Sequence, residues 1–113
     1  MKKWEIRQLR YTFMHQCFKR DDYECVTCGF KEFEEEDVEH YLTAHHITDR
    51  HEISNGGYVI ENGISLCEDC HWKAEEFHIS NGKRHVNDFH PDDLYKKIGS
   101  SYEEALEASE NLV

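Results

Sequence analysis

The run Cys67-Glu68-Asp69-Cys70-His71 decides how this chain folds, and it is answered upstream by Cys25-Val26-Thr27-Cys28. Two thiolates three positions apart can clasp one ion from a tight turn, and two such clasps complete the tetrahedral shell of a structural Zn²⁺. Residues 29–66 separate the pairs, a wider gap than the ~15–20 residues of a compact four-cysteine module. That gap has room for a hairpin, so the two knuckles are expected to meet through the fold. A redox dithiol is the rival reading, but it explains one pair at a time. In a reducing compartment, disulfides would be opened. Zinc binding contributes on the order of 10–16 kcal/mol, which decides the matter for a chain of 113 residues with a small core. The fifth cysteine, Cys17, lies on an apolar helix face and reads as a core residue.

Outward from the second knuckle, residues 68–77 suit a helix with Glu68 and Asp69 in its first turn, where carboxylates meet the positive end of the helix dipole. Residues 41–47 read as a strand, with Tyr41, Thr43, His45 and Ile47 on one side and Leu42, Ala44 and His46 on the other. Residues 49–57 form a loop whose Asn55-Gly56-Gly57 is a strong turn signal. Tyr58-Val59-Ile60 is expected to be the second strand, connected through Asn62-Gly63 to Leu66-Cys67. Near the N-terminus Ile6, Leu9, Phe13 and Cys17 recur at helical spacing, flanked by Trp4, Met14 and Phe18. They predict an amphipathic helix over residues 3–20, ended by Asp21-Asp22. Residues 31–40 are acidic and read as an exposed loop. His90-Pro91-Asp92-Asp93 opens a short helix ending near Gly99. Ser100 and Glu103 fit a capping box for a last helix reaching about Asn111. The expected organisation is one domain over residues 1–90 and a helical tail over 91–113.

The net charge of -11 sits awkwardly with phosphate binding, which normally draws on a basic surface. The charge is uneven, however. Residues 1–31 hold seven Lys/Arg against four Asp/Glu, a net of +3, while residues 32–113 hold six against twenty, a net of -14. Any DNA-facing surface is therefore expected at Lys2, Lys3, Arg7, Arg10, Lys19 and Arg20, joined by Arg50 and Lys73 near the histidines. The rival is a solvated helix face. The acidic tail could screen non-specific DNA or dock a protein partner. No stretch suits a membrane span or a signal peptide, and the expected location is cytoplasmic, with no membrane partner.

His45-His46-Ile47 and Asn62 lie between the knuckles, and His71 follows the last cysteine. A strand turns His45 and His46 to opposite faces, so one can hold a metal while the other accepts a proton. Imidazole serves both roles, since its ordinary pKa of about 6.5 lies near working pH. Glu75 stands one helical turn after His71, and such a pair can present two ligands to one ion.

Taken in order, Ala44-His45-His46-Ile47 and then Glu61-Asn62-Gly63-Ile64-Ser65-Leu66-Cys67-Glu68-Asp69-Cys70-His71 resemble the HNH endonuclease family. Arg20-Asp21-Asp22-Tyr23-Glu24-Cys25-Val26-Thr27-Cys28-Gly29 resembles that family's approach to its first knuckle. The resemblance covers residues 20–75. It implies a small α+β protein with a zinc-stapled ββα-metal fold (His-Me finger, treble-clef-like), here with an N-terminal amphipathic helix and a C-terminal helical appendage. By the same resemblance His45 and His71 match ligands of a catalytic divalent cation (Mg²⁺, Mn²⁺, Zn²⁺ or Ni²⁺), and Glu75 sits where some members place a further ligand. His46 matches the general base, and Asn62 the residue that positions the base and steadies the loop. The implied activity is hydrolysis of DNA phosphodiester bonds, by nicking or double-strand cleavage, in a phage- or mobile-element-related setting within a bacterial or phage-infected cell. A non-catalytic zinc module of the same fold, binding nucleic acid or protein, is the alternative. It has no need to keep His45, His46, Asn62 and His71 together.

Overall fold

The structure, a computed structural model, describes residues 2–112. Helix α1 runs over Lys3–Arg20, and Lys19 and Arg20 in its last turn suit the negative end of the dipole. Only its second half is inserted: Phe13, Cys17 and Phe18 are buried, while Trp4 and Tyr11 face solvent. The helix ends where Asp22 and Tyr23 take left-handed backbone angles, with the Tyr23 amide donating back to the Phe18 carbonyl at 2.8 Å. That reversal delivers the chain into the first cysteine knuckle. The acidic stretch after it closes in a short 3₁₀ turn, Glu35–His40, which buries Val38 and exposes the carboxylates around it.

Strands β1 (Leu42–His46) and β2 (Gly63–Cys67) pair antiparallel, with Leu42 opposite Cys67, His45 opposite Ile64 and His46 opposite Gly63. The second strand therefore lies later than Tyr58-Val59-Ile60 suggested. Those residues lead into a 3₁₀ turn at Ile60–Asn62 instead. The reason is packing. Residues 63–66 are all buried, whereas Ile60 is exposed, and a strand shifted to 58–60 would turn the apolar set out of the core. Gly63 sits under α1, and a Cβ there would collide with Cys17 Sγ and the Phe13 ring. Glycine thus allows the helix to lie directly on β2.

Helix α2 (Glu68–Ile79) leaves β2 without a linker, Cys67 serving as its N-cap residue, and packs across both strands. Two shorter helices follow, α3 (Pro91–Lys97) and α4 (Tyr102–Glu110). The cap of α4 is Ser101, whose Oγ accepts the Glu104 amide at 3.1 Å, so the capping pair stands one residue later than Ser100 and Glu103. Ser100 instead donates to the Glu61 carbonyl at 2.8 Å. The core joins Phe18, Ile47, Ile64, Leu66, Ala74, Leu94 and Ala105 into one cluster, each large aliphatic or aromatic member contributing about 1.5–3 kcal/mol by its burial. The last helices share that core. Ser109 is buried, and its hydroxyl accepts the Gly57 amide at 3.0 Å, holding α4 against the loop between the strands. No helix among the described residues is long and apolar enough to cross a membrane.

Candidate metal centre and reaction cleft

The zinc end of the hairpin is built from both knuckles. Gly29, at φ 80, closes the first by donating its amide to the Cys25 carbonyl at 2.8 Å, a left-handed position that favours glycine. The second knuckle spans the end of β2 and the first turn of α2. All four sulfurs, of Cys25, Cys28, Cys67 and Cys70, lie within 4.8 Å of one another. The Cys28 and Cys67 sulfurs are 3.7 Å apart, close to the edge of about 3.8 Å expected for a tetrahedron with zinc–sulfur arms of ~2.3 Å. The thiols are split electrostatically. Burial would raise Cys25, but the Thr27 hydroxyl and nearby backbone contacts bring it down to about 6. Burial, with Cys67 and the Cys25 charge adding to it, pushes Cys70 up to about 12. Bare thiolates repel each other here, and a dication would relieve that repulsion. The donor set fits structural zinc, and Cys17 stands apart in the core, as expected.

At the other end of the hairpin a second cluster gathers on one face of α2. Glu75 Oε1 lies 3.2 Å from His45 Nδ1 and 3.2 Å from His71 Nε2. His45 is almost fully buried, yet neither ring nitrogen makes a directed hydrogen bond. Its close approach to Glu75 is thus a matter of distance without hydrogen-bond alignment. Burial lowers the His45 pKa more than Glu75 raises it. Contact with His45, opposed by burial and helped by the charges of His71 and His78, holds Glu75 down to about 2. A neutral imidazole facing a carboxylate is a ligand pair in search of a cation.

His78 completes the cluster, and sequence reasoning missed it. The ligand atoms of His45, Glu75 and His78 fall within 4.8 Å of one another, and the His45 and His78 rings are stacked at 5.2 Å. The signal was present: His71, Glu75 and His78 follow one another at four and three residues, the spacing of a single helix face. His78 Nε2 donates to the His46 carbonyl at 2.9 Å. The His71 ring stands 5.3 Å from that of His45, on the outer side of the cluster.

His46 points the other way from the strand, toward α1. Its ring lies 4.7 Å from Phe13 and 4.8 Å, edge to face, from Tyr58, and Nε2 has no hydrogen-bond partner. Burial, then the neighbouring charge of His45, lowers its pKa to about 4, so the ring is neutral near pH 7. His45, His46, His71, Glu75 and His78 nonetheless line one open cleft of ≈ 410 Å³, together with Arg10, Arg50 and Tyr58.

Asn62 does not touch the His46 ring. Its Nδ2 donates to the Thr48 and Gly57 carbonyls at 3.0 and 3.2 Å. Its Oδ1 accepts from the Thr48 amide at 2.9 Å and from the Tyr95 hydroxyl at 2.7 Å. Fully buried and fully partnered, it ties down the loop between the strands, and any influence on His46 passes through the backbone. Tyr95, from α3, is part of that staple.

The basic residues separate into groups. The Arg10 Nε donates to the Tyr58 hydroxyl at 3.3 Å, and Arg10 and Arg50 share the cleft wall. Lys2, Lys3, Arg7 and Lys19 are exposed along α1 or beside its start. Lys73 lies over the Phe89 ring. Arg20 is engaged internally: it makes a two-pronged contact with Asp21 at 2.7 and 2.8 Å, and its remaining donors reach the Ile60 and Gly63 carbonyls. It secures the end of α1 to β2 and is not free for phosphate.

A short antiparallel hairpin crossed by a helix, stapled by four cysteines and carrying a His/Glu cluster, defines a small α+β protein of the ββα-metal class. The family model described as HNH endonuclease matches residues 25–77, so this segment is similar to the HNH endonuclease family. No curated protein and no solved structure matches the chain. The segment is thus a nuclease-like domain with a metal-binding centre.

Proposed function

We propose that the protein is a metal-dependent endonuclease that hydrolyses phosphodiester bonds in DNA. One observation carries the reading: His46, a neutral imidazole, lines the same cleft as a cation-seeking cluster and two arginines. His45, Glu75 and His78, with His71 at the edge, would hold a divalent ion. Bound there, such an ion supplies Lewis-acid stabilisation of the phosphate and the leaving oxygen. His46, neutral near pH 7, takes a proton from the attacking water through its imidazole, a contribution of roughly 10²–10⁴-fold. Arg10 and Arg50 offset phosphate charge from the opposite wall, and Tyr58 holds the Arg10 guanidinium toward the cleft. Asn62 acts as a positioning residue, fixing the loop whose ends meet His46 and Gly63.

The test is incubation of supercoiled plasmid with zinc-loaded protein and a series of divalent ions, beside His46→Ala. The expected result is nicking or linearisation that needs an added ion and falls at least 100-fold in the variant, with circular dichroism unchanged. Equal cleavage by both proteins would remove His46 from the role. No cleavage under any ion would favour a binding module.

A further inference from the structure

We propose that the outward face of the first three turns of α1 receives an unpaired nucleotide of the substrate strand, its base against Trp4 and Tyr11 and its phosphate at Arg7. The inference rests on the nucleic-acid reading of the cleft and narrows its substrate to DNA with a single-stranded segment. Trp4 and Tyr11 are 62 % and 56 % exposed. The fold does not bury them: α1 is anchored by Phe13, Cys17 and Phe18, all in its second half. Two large rings left in water on one helix face are costly unless something covers them.

The occupant follows from what surrounds the rings. Trp4, Arg7, Gln8, Arg10, Tyr11 and Met14 line an open groove of ≈ 610 Å³. Arg7 and Arg10 make it cationic in a chain whose net charge is -11, so an anionic partner is the complementary one. Arg10 and Met14 also line the cleft that holds His46, making groove and cleft one continuous surface. Tyr11 is held in place, its ring 4.3 Å from that of His15, which is in turn fixed by Glu39 at 2.6 Å. Aromatic faces interleaved with arginines suit the π-faces of bases and their phosphates. Within a duplex those faces are hidden by stacking, and only base edges are offered. An unpaired base is what this surface can cover.

Trp4 and Trp72 are the two tryptophans of the chain, so Trp72→Phe makes Trp4 the sole reporter. In a zinc-loaded Trp72→Phe, His46→Ala background, which stops cleavage, Trp4 emission is followed while single-stranded oligo(dT) or a duplex of equal length is added. Binding is tracked independently by anisotropy of a labelled strand. The expected result is quenching by the single strand and none by the duplex. Trp4→Ala with Tyr11→Ala should weaken single-strand binding at least tenfold and leave duplex binding within about twofold. Unmoved emission at saturation, equal losses for both substrates, or no single-strand binding would each overturn the proposal. Plasmid cleavage by the otherwise unaltered protein reports separately on the nuclease reading, so the two can fail independently.

Discussion

The two ends of one hairpin hold two clusters of very different construction. At the cysteine end each pair is local, two residues three apart in sequence, and only the meeting of the pairs needs the fold. At the histidine end, His45 comes from β1 and its partners from successive turns of α2, so no two neighbours in sequence make the site. The first is four like donors around a point, suited to an ion that stays. The second mixes imidazoles and a carboxylate beside an open cleft, suited to an ion that must also meet substrate. The fold therefore depends on the first, and the second depends on the fold.

The largest expected effect tests that dependence. Cys67→Ser, or removal of zinc by a strong chelator, should forfeit on the order of 10 kcal/mol of folding energy and abolish the cooperative melt seen by circular dichroism. A chelator-stripped protein that keeps its melt would make the two ends equivalent. His45→Ala should do the opposite, leaving the melt in place while plasmid cleavage falls by 100-fold or more, about 3 kcal/mol. Loss of the fold in that variant would show that the histidine end is structural as well.

Smaller effects sharpen the contrast within the cleft. His78→Ala should weaken the activating ion about 10–100-fold, measured as the ion concentration for half-maximal cleavage, with maximal cleavage largely restored at high ion. An unchanged ion requirement would leave His71 as the helix ligand and remove His78. Tyr95→Phe withdraws one donor from buried Asn62 and should cost about 1–2 kcal/mol of stability, read from denaturant midpoints. No change would mean that the tail helices merely lie against the loop.

The same contrast explains what was legible in the sequence. Cysteine spacing, the order of His45, His46, Asn62 and His71, and the long helices are local signals, and they set the class of fold. The strand at Gly63–Cys67 was mistaken for Tyr58-Val59-Ile60 because both stretches are apolar and only tertiary burial separates them. Asn62 was expected to position the base and steady the loop; its four side-chain hydrogen bonds go to Thr48, Gly57 and Tyr95, partners that only the fold brings together. Arg20 looked like part of a basic face, but Asp21 and two backbone carbonyls around Gly63 enclose it. His78 stands one helical step beyond Glu75, so its place on the ligand face of α2 is a periodic signal that the sequence does carry.

Calorimetric titration of the zinc-loaded protein with Mn²⁺ or Co²⁺ asks directly whether one small scaffold carries two distinct ion sites. One further equivalent per chain is expected, abolished by His45→Ala or Glu75→Ala while the zinc content stays the same. Absence of that equivalent, or its survival in both variants, would contradict the account.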